Sequence, residues 1–285
     1  MPELPEVETI VRSLRNLPSI PQVREQALDA RPGILGRRIA SAEVLWAKTV
    51  AAPDAEEFTR RIAGQNVTAV GRRGKFIVIK LTADTLLIHL RMSGDIRIEN
   101  ATETLQKHDR TLINFDDGVR LVFNDTRKFG RVWLVEDAQS VLGSLGPEPL
   151  DSTLTAQELF ERLRKSSRCI KTLLLDQTVI AGVGNIYSDE SLHRAGLNPA
   201  LPGKQITYRQ VNQLLDAVRE TLTEGIERNG ASIDWVYRGG DFQNHFRVYQ
   251  RTGEPCLVCG TAIERCIIGQ RSTHYCPKCQ PIVIM

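Results

Sequence analysis

Met1-Pro2-Glu3-Leu4-Pro5-Glu6-Val7-Glu8-Thr9 opens the chain, and it supports two readings. In the first it only starts a helix. Proline suits the first turn, and acidic residues suit the positive end of a helix dipole. Val7, Ile10, Val11 and Leu14 recur at helical spacing, which predicts a helix from about residue 5 to 15. In the second reading the stretch is a reaction centre. Removal of Met1 leaves Pro2 with a free secondary amine. An α-amino group has a pKa near about 8, so a useful fraction is neutral at cell pH. A neutral amine attacks electrophilic carbon to form an iminium, as catalytic lysines do. Glu3 is adjacent and Glu6 follows, so the nucleophile has carboxylates at hand for proton transfer.

Working outward, 285 residues suggest two domains with ample core. Hydrophobic residues at 41% and charged residues at 25% are ordinary for a water-soluble globular chain. The sequence has no apolar run of about 18 residues and no apolar leader core at its acidic start. No membrane partner is expected. The expected location is the cytoplasm, or the nucleoid region of a bacterium. A net charge of +3 permits a nucleic-acid partner without implying one.

Four of the six cysteines form Cys256-x-x-Cys259 and Cys276-x-x-Cys279, with 16 residues between the pairs. Two such knuckles complete a tetrahedral four-cysteine zinc site, and four protein ligands leave no open position, so the metal is structural. Cys169 and Cys266 lie outside the pattern and are expected as ordinary buried cysteines. His274 is an alternative ligand that four thiolates make unnecessary. The zinc is expected to stiffen a hairpin with Arg271-Ser272-Thr273 at its tip.

Residues 16–33 contain Pro18, Pro21 and Pro32 and read as an inserted loop, with room for a short helix around 22–30. From Gly36 to Val135 short β-branched and aromatic runs alternate with Gly, Asp and Asn. They include Phe76-Ile77-Val78-Ile79 and Arg120-Leu121-Val122-Phe123, with a hairpin turn at Asp116-Asp117-Gly118. This pattern predicts a β-sandwich or barrel. Gly143 to Pro149 reads as a linker. Helices are expected to start at Thr155-Ala156-Gln157-Glu158 and to cover about 169–176, 186–195 and 207–228. Short strands carrying the cysteines close the chain.

Other stretches are ambiguous by themselves. Gly182-Val183-Gly184-Asn185 opens a helix and suits either a tight turn or an anion site. Lys75, after Gly71-Arg72-Arg73-Gly74, suits an exposed hairpin charge or a phosphate contact. His89 suits the core or a phosphate contact. Met92 and Phe129 suit the core or a wedge between bases. Arg271 suits solvated surface or a phosphate fork.

Taken together, the opening, Gly71–Phe76, His89–Gly94, Asp125–Gly130, Gly182–Glu190 and the 253–280 region resemble, in order, the formamidopyrimidine-DNA glycosylase family, Fpg/MutM. The resemblance covers almost the whole chain. It implies an α+β fold of two domains. The first is an N-terminal β-sandwich with an N-terminal helix. The second is a C-terminal helix–two-turn–helix domain with a four-cysteine zinc-finger β-hairpin. The implied boundaries are 1–143, a linker at 144–150, 151–245, and a zinc finger at 246–285. The implied activity is base-excision repair of oxidised purines in double-stranded damaged DNA by a monomer, with no diffusible cofactor. Pro2 is then the nucleophile and Glu3 its proton-transfer partner. Lys75, Asn185 and Arg271 bind phosphate, and Lys171 assists at the lesion. His89 touches the backbone, and Glu190 helps organise the terminal amine. Base flipping leaves a gap in the duplex. Met92 fills it, Arg127 pairs with the orphaned base, and Phe129 wedges beside it. The base-capping loop falls around Ser232 to Asn244, is shorter than usual, and carries Asp234. Alternatives are the endonuclease VIII-like glycosylases of oxidised pyrimidines, which usually have Gly where this chain has Leu4, and a non-catalytic zinc-containing DNA-binding protein. A zinc ribbon of a transcription or translation factor explains only the tail.

The cysteine spacing predicts one zinc per chain in freshly purified protein, measurable by elemental analysis. Because metal binding and folding are coupled in small metal modules, Cys276→Ser is expected to disorder the tail and weaken DNA binding. Zinc-free wild-type protein with an ordered tail would contradict the assignment.

Overall fold

The computed structural model describes residues 1–15, 33–232 and 239–282. Residues 16–32 of the expected insertion at 16–33, including the expected short helix around 22–30, lie outside the described residues, as does Asp234 of the expected base-capping loop. Two compact units emerge. One is Met1–Gly143 with Asn229–Gly240, and the other is Ser144–Arg228 with Asp241–Met285.

The first unit begins with α1 (Leu4–Leu14). Its apolar face, Leu4, Val7, Ile10, Val11 and Leu14, is buried. The strands follow as β1 (Ile39–Val44), β2 (Val50–Ala52), β3 (Val67–Arg73), β4 (Phe76–Leu81), β5 (Thr85–His89), β6 (Gly94–Asn100), β7 (Asp109–Phe115), β8 (Val119–Asp125) and β9 (Arg131–Val135). They form one sheet ordered β1-β7-β8-β6 and another ordered β2-β9-β5-β4-β3. Pairing is antiparallel except between β2 and β9. Along β4, Ile77, Ile79 and Leu81 are buried and Lys80 is exposed, the period of two that a half-buried strand requires. Ile77 pairs with Ile88 and Ile79 with Leu86. Those side chains share one core with Ile113, Phe115, Leu121 and Phe123 of the other sheet, so this is a β-sandwich.

Sequence reading expected only β-structure here and missed α2 (Ala55–Ile62). Its start is nevertheless written in the chain. Asp54 caps it by accepting the Glu57 amide at 2.8 Å, and Phe58 and Ile62 are its buried positions. One turn of helix, α3 (Gln139–Leu142), follows the last strand of this unit.

The second unit is mostly helical. It holds α4 (Ala156–Arg164), α5 (Ile170–Leu175), α6 (Asn185–Arg194) and α7 (Tyr208–Glu227). A hairpin of β10 (Glu264–Ile268) and β11 (Arg271–Tyr275) follows. Thr155 caps α4 by accepting the Glu158 amide at 3.1 Å. Thr207 and Gln210 form a reciprocal capping box on α7. Every residue of α6 from Ile186 to His193 is buried, so its polar side chains must find partners inside the protein. No helix among the described residues is long and apolar enough to cross a membrane.

α6 and α7 meet at Gly225, where an added Cβ would lie 2.5 Å from Tyr187 Cε1. Tyr187 is held in turn by stacking on Phe242, with centroids 5.1 Å apart. Alanine favours helix by about 1 kcal/mol over glycine, but forcing a methyl into a packed core costs roughly 1–3 kcal/mol. Gly225→Ala is therefore expected to lower stability despite its better helix propensity. A rise in the denaturation midpoint would show that Tyr187 can move aside.

Candidate functional site

In the first unit, Pro2 and Glu3 are buried at the start of α1. Glu6 Oε2 accepts the Glu3 amide at 2.8 Å, one arm of the capping box that the two glutamates form. Glu6 Oε1 accepts the Ala231 amide at 2.7 Å. The same glutamate thus fixes the backbone beside the N-terminus and the segment leading into residues 233–238. A Cβ on Gly230 would lie 2.7 Å from Glu6 Oε1, and Gly230 has φ +77°, so the close approach requires glycine. Ser232 Oγ accepts the Gly240 amide at 2.8 Å. Sequence reading noted Glu6 only as a second acid. Its spacing from Glu3 was the available signal for a capping box.

Lys75 follows Gly74 in the β3–β4 hairpin and is only 5% exposed. The exposed-charge alternative therefore fails. His89 ends β5 and is 7% exposed. Its Nδ1 accepts the Arg91 amide at 3.0 Å, which requires that nitrogen to be unprotonated. Burial, with Arg91 and Lys75 nearby, lowers the His89 pKa to about 3. Neutral His89 fixes the turn that leads to Met92.

Met92 and Phe129 are 40% and 49% exposed, so neither is a core residue. Arg127 is exposed and its guanidinium sits 5.2 Å from the Phe129 ring centroid. Both loops converge on Asp125, which is fully buried. Its Oδ1 accepts from the Ser93 hydroxyl and from the Arg127 amide, the latter at 3.1 Å. Its Oδ2 accepts the Gly130 amide at 2.7 Å. One carboxylate thereby holds the Met92 loop and the Arg127–Phe129 loop in register. Lys128 has φ +61°, and its ammonium packs 3.8 Å from the Trp46 ring centroid.

In the second unit the residues of interest converge on α6 and the β10–β11 hairpin. Lys171 has no exposed surface. Its Nζ donates to Asp189 Oδ1 at 2.6 Å and to the Ser272 carbonyl at 2.8 Å. Asn185 Nδ2 donates to the same carbonyl at 3.1 Å. Arg271 is exposed next to Ser272 at the start of β11. The turn is at Gly269 and Gln270, with φ +55° and +62°, which corrects the expected tip by two residues. A Cβ on Gly269 would lie 3.1 Å from Thr172 Oγ1, so α5 packs closely against this turn. Asp189 Oδ2 also accepts the His274 amide at 3.0 Å, and Nδ1 of the His274 ring lies 3.3 Å from the same oxygen, which engages His274 away from the cysteine cluster. Glu190 is filled by the chain that enters the zinc region. Its oxygens accept the Arg247, Val248 and Tyr249 amides at 2.8, 3.0 and 2.8 Å. Burial raises the Glu190 pKa and those three donors oppose the rise.

Cys256, Cys259, Cys276 and Cys279 place their sulfurs within 4.8 Å of one another. A Zn–S bond of about 2.3 Å implies tetrahedron edges of roughly 3.8 Å. The separations are 3.9 Å for Cys256–Cys279 and 3.5 Å for both Cys259–Cys276 and Cys259–Cys279. The backbone N–H of Val258 approaches Cys256 Sγ, and that of Cys279 approaches Cys276 Sγ, each at 3.4 Å. Spacing, edges and amide donors all fit one structural zinc. Cys169 and Cys266, expected to be buried, are only partly so.

Comparison with known proteins agrees with the two-unit fold and the zinc-finger cysteines. Residues 1–132 match the formamidopyrimidine-DNA glycosylase N-terminal domain. Residues 145–236 match the H2TH domain of the same enzymes, and 253–282 match the zinc finger found in FPG and IleRS. A formamidopyrimidine-DNA glycosylase of Chloroflexus aurantiacus is 42% identical over 288 residues, covering 98% of both chains. The Lactococcus lactis FPG (MutM) in complex with FAPY-dG DNA superposes with a TM-score of 0.86 at 34% identity. That match covers 98% of this chain and all of the other. A MutM complex with carbocyclic 8-oxo-G DNA gives the same score and identity over 99% of this chain and all of the other.

The acid behaviour of His89 is testable. Between its folded pKa of about 3 and its ordinary value near 6.5, the unfolded chain takes a proton that the folded chain refuses. Its contribution to stability is therefore complete above about pH 6.5 and is lost progressively as the pH falls towards 3. His89→Gln is expected to flatten this part of the profile of melting temperature against pH. Identical slopes for the two proteins would refute the assignment.

Proposed function

The chain belongs to the formamidopyrimidine-DNA glycosylase family, and we propose that it excises oxidised purines, 8-oxoguanine and formamidopyrimidines, from double-stranded DNA and then cleaves the strand as an AP lyase. The observation that carries the reading is the Pro2-Glu3 opening in a chain akin to those enzymes over nearly its whole length. The location is the cytoplasm or bacterial nucleoid, and the active species is a monomer. The functional parts run 1–143, 151–245 and 246–285, with a linker at 144–150.

After loss of Met1, the Pro2 nitrogen attacks C1′ of the damaged nucleotide, and the glycosidic electrons leave with the base. Glu3 moves the proton that the base or sugar requires. The amine loses its own proton and the sugar ring opens, leaving an iminium between Pro2 and C1′. That electron sink acidifies C2′. Loss of a C2′ proton expels the 3′ phosphate, and a second elimination expels the 5′ phosphate. Water then hydrolyses the remaining iminium and frees Pro2.

Lys75, Asn185 and Arg271 bind backbone phosphate. Met92 fills the emptied stack, Arg127 pairs with the orphaned base, and Phe129 wedges beside it. The fixed Asp125 network supports this role, because it holds apolar side chains out in water where they do nothing for the isolated fold. His89 acts through the Met92 turn. Lys171, buried against Asp189, acts through the backbone of the Arg271 strand. Glu190 acts through the 247–249 backbone. Zinc supplies rigidity to the hairpin and no chemistry. Leu4 favours purine lesions over the endonuclease VIII-like alternative.

Borohydride reduction during turnover of an 8-oxoguanine duplex is expected to crosslink DNA to Pro2, as read by peptide mapping. An uncleaved N-terminal tag should abolish the crosslink. Glu3→Gln should keep lesion binding and suppress base release. Arg271→Ala and Lys75→Ala should weaken binding to all duplexes and reduce its salt dependence. Phe129→Ala should spare undamaged duplex and impair extrusion. A crosslink on Lys171 with Pro2 unmodified would refute the nucleophile.

A further inference from the structure

The zinc ligands hold a feature that cysteine spacing does not explain. His193 lies near the end of α6, buried, with Nε2 3.4 Å from Cys256 Sγ. Its Nδ1 is buried and has no hydrogen-bond partner among the described residues. We propose that His193 donates a hydrogen bond from Nε2 to the zinc-bound thiolate of Cys256 and thereby governs how tightly that ligand is held. The proposal rests on the zinc assignment and adds a residue outside the four cysteines.

The two neutral tautomers of the ring differ in cost. With the proton on Nε2, the ring donates to an anionic sulfur, and the bare Nδ1 merely lacks a donor. With the proton on Nδ1, a buried donor goes unsatisfied and the Nε2 lone pair faces a thiolate. The second arrangement carries two penalties where the first carries one. A protonated ring would still donate from Nε2, so the contact does not depend on the charge of the imidazole.

The chemistry of the cluster gives the bond its purpose. Four thiolates around a zinc dication leave two net negative charges on sulfur, and N–H donors disperse that charge. Cys256 receives the Val258 amide at 3.4 Å as well as the ring. Less charge on sulfur makes attack by protons and electrophiles slower, and such attack is the route by which zinc thiolates release their metal. Position is the second consequence. Asp189, Glu190 and His193 lie on one helix, and each holds a different part of the zinc segment: His274, the 247–249 backbone and Cys256. The helix that begins with Asn185 is therefore tied to the metal ligands near its end.

The test compares His193→Leu, which fills the space without a donor, with His193→Gln, which retains one. Zinc content of the wild-type protein is measured first, so that failure of the metal assignment is separated from failure of this proposal. Transfer of zinc to a chromogenic chelator should be about 10-fold faster for the Leu variant, the usual scale for removing a ligand's hydrogen-bond partner. The Gln variant should stay close to wild type. In cadmium-113-substituted protein, the metal resonance should move for Leu and return towards wild type for Gln. Wild-type release kinetics in a folded Leu variant would overturn the proposal. If that variant does not fold, nitrogen-15 shifts of the wild-type imidazole decide. A protonated Nε2 supports the bond, and a neutral ring protonated at Nδ1 overturns it.

Discussion

The carboxylate of Asp189, buried with Lys171 against it, is the contact on which the second unit depends. An ionised pair out of water is tolerated only when its remaining donors and acceptors are filled. Here they are, by the Ser272 carbonyl on Lys171 and the His274 amide on Asp189. Both partners lie on β11, so satisfying the charges fixes the strand that carries Arg271. Removing one member of a buried pair costs about 3–5 kcal/mol because the other is left uncompensated. That penalty makes the hairpin's position on α5 and α6 specific. Glu190 does the same for 247–249, and a run of aromatic contacts from Phe242 through Phe246 and Tyr249 to His274 lines the way.

The first unit solves a similar problem with Glu6 and Asp125. Each is a buried carboxylate that ties separate segments together: Glu6 accepts the Glu3 and Ala231 amides, and Asp125 accepts the Ser93 hydroxyl together with the Arg127 and Gly130 amides of its own loop. Hydrogen bonds to a charged acceptor are stronger than neutral ones, by roughly a factor of two. One such side chain can therefore hold a loop that has little core of its own. Met92, Arg127 and Phe129 can project into solvent because their backbones are held from below.

Much of this was legible in the sequence. Period-two burial in β4 and period-3.6 burial in α1 follow the apolar pattern directly. The cysteine spacing predicted the sulfur cluster. What escaped were contacts between distant positions. Glu6 with Ala231 and Lys171 with Asp189 are separated by 225 and 18 residues, and no local period marks them. Burial of Lys75 and Lys171 was equally hidden, because a lysine in isolation reads as surface. The helix α2 was missed for a different reason. It is short and lies among strands, and the surrounding β-pattern outweighed its Asp54 cap.

The zinc segment shows why these buried polar contacts matter. Its apolar cluster is Val248, Cys256, Ile263 and Cys276, with Cys259 and Cys279 packed against it. Four of those six residues are the metal ligands themselves. Ordering the backbone costs about 1–2 kcal/mol per residue, far more than so small a cluster can offset. Zinc binding in small metal modules contributes on the order of 10–16 kcal/mol at neutral pH, but it fixes only the knuckles. The β10–β11 hairpin projects beyond them with Ile267 exposed, so the metal alone cannot set its direction. Direction comes from Asp189, Lys171 and Asn185 gripping the backbone at Ser272 and His274. Metal and helix therefore act together on the hairpin, one holding its base and the other aiming the strand that bears Arg271.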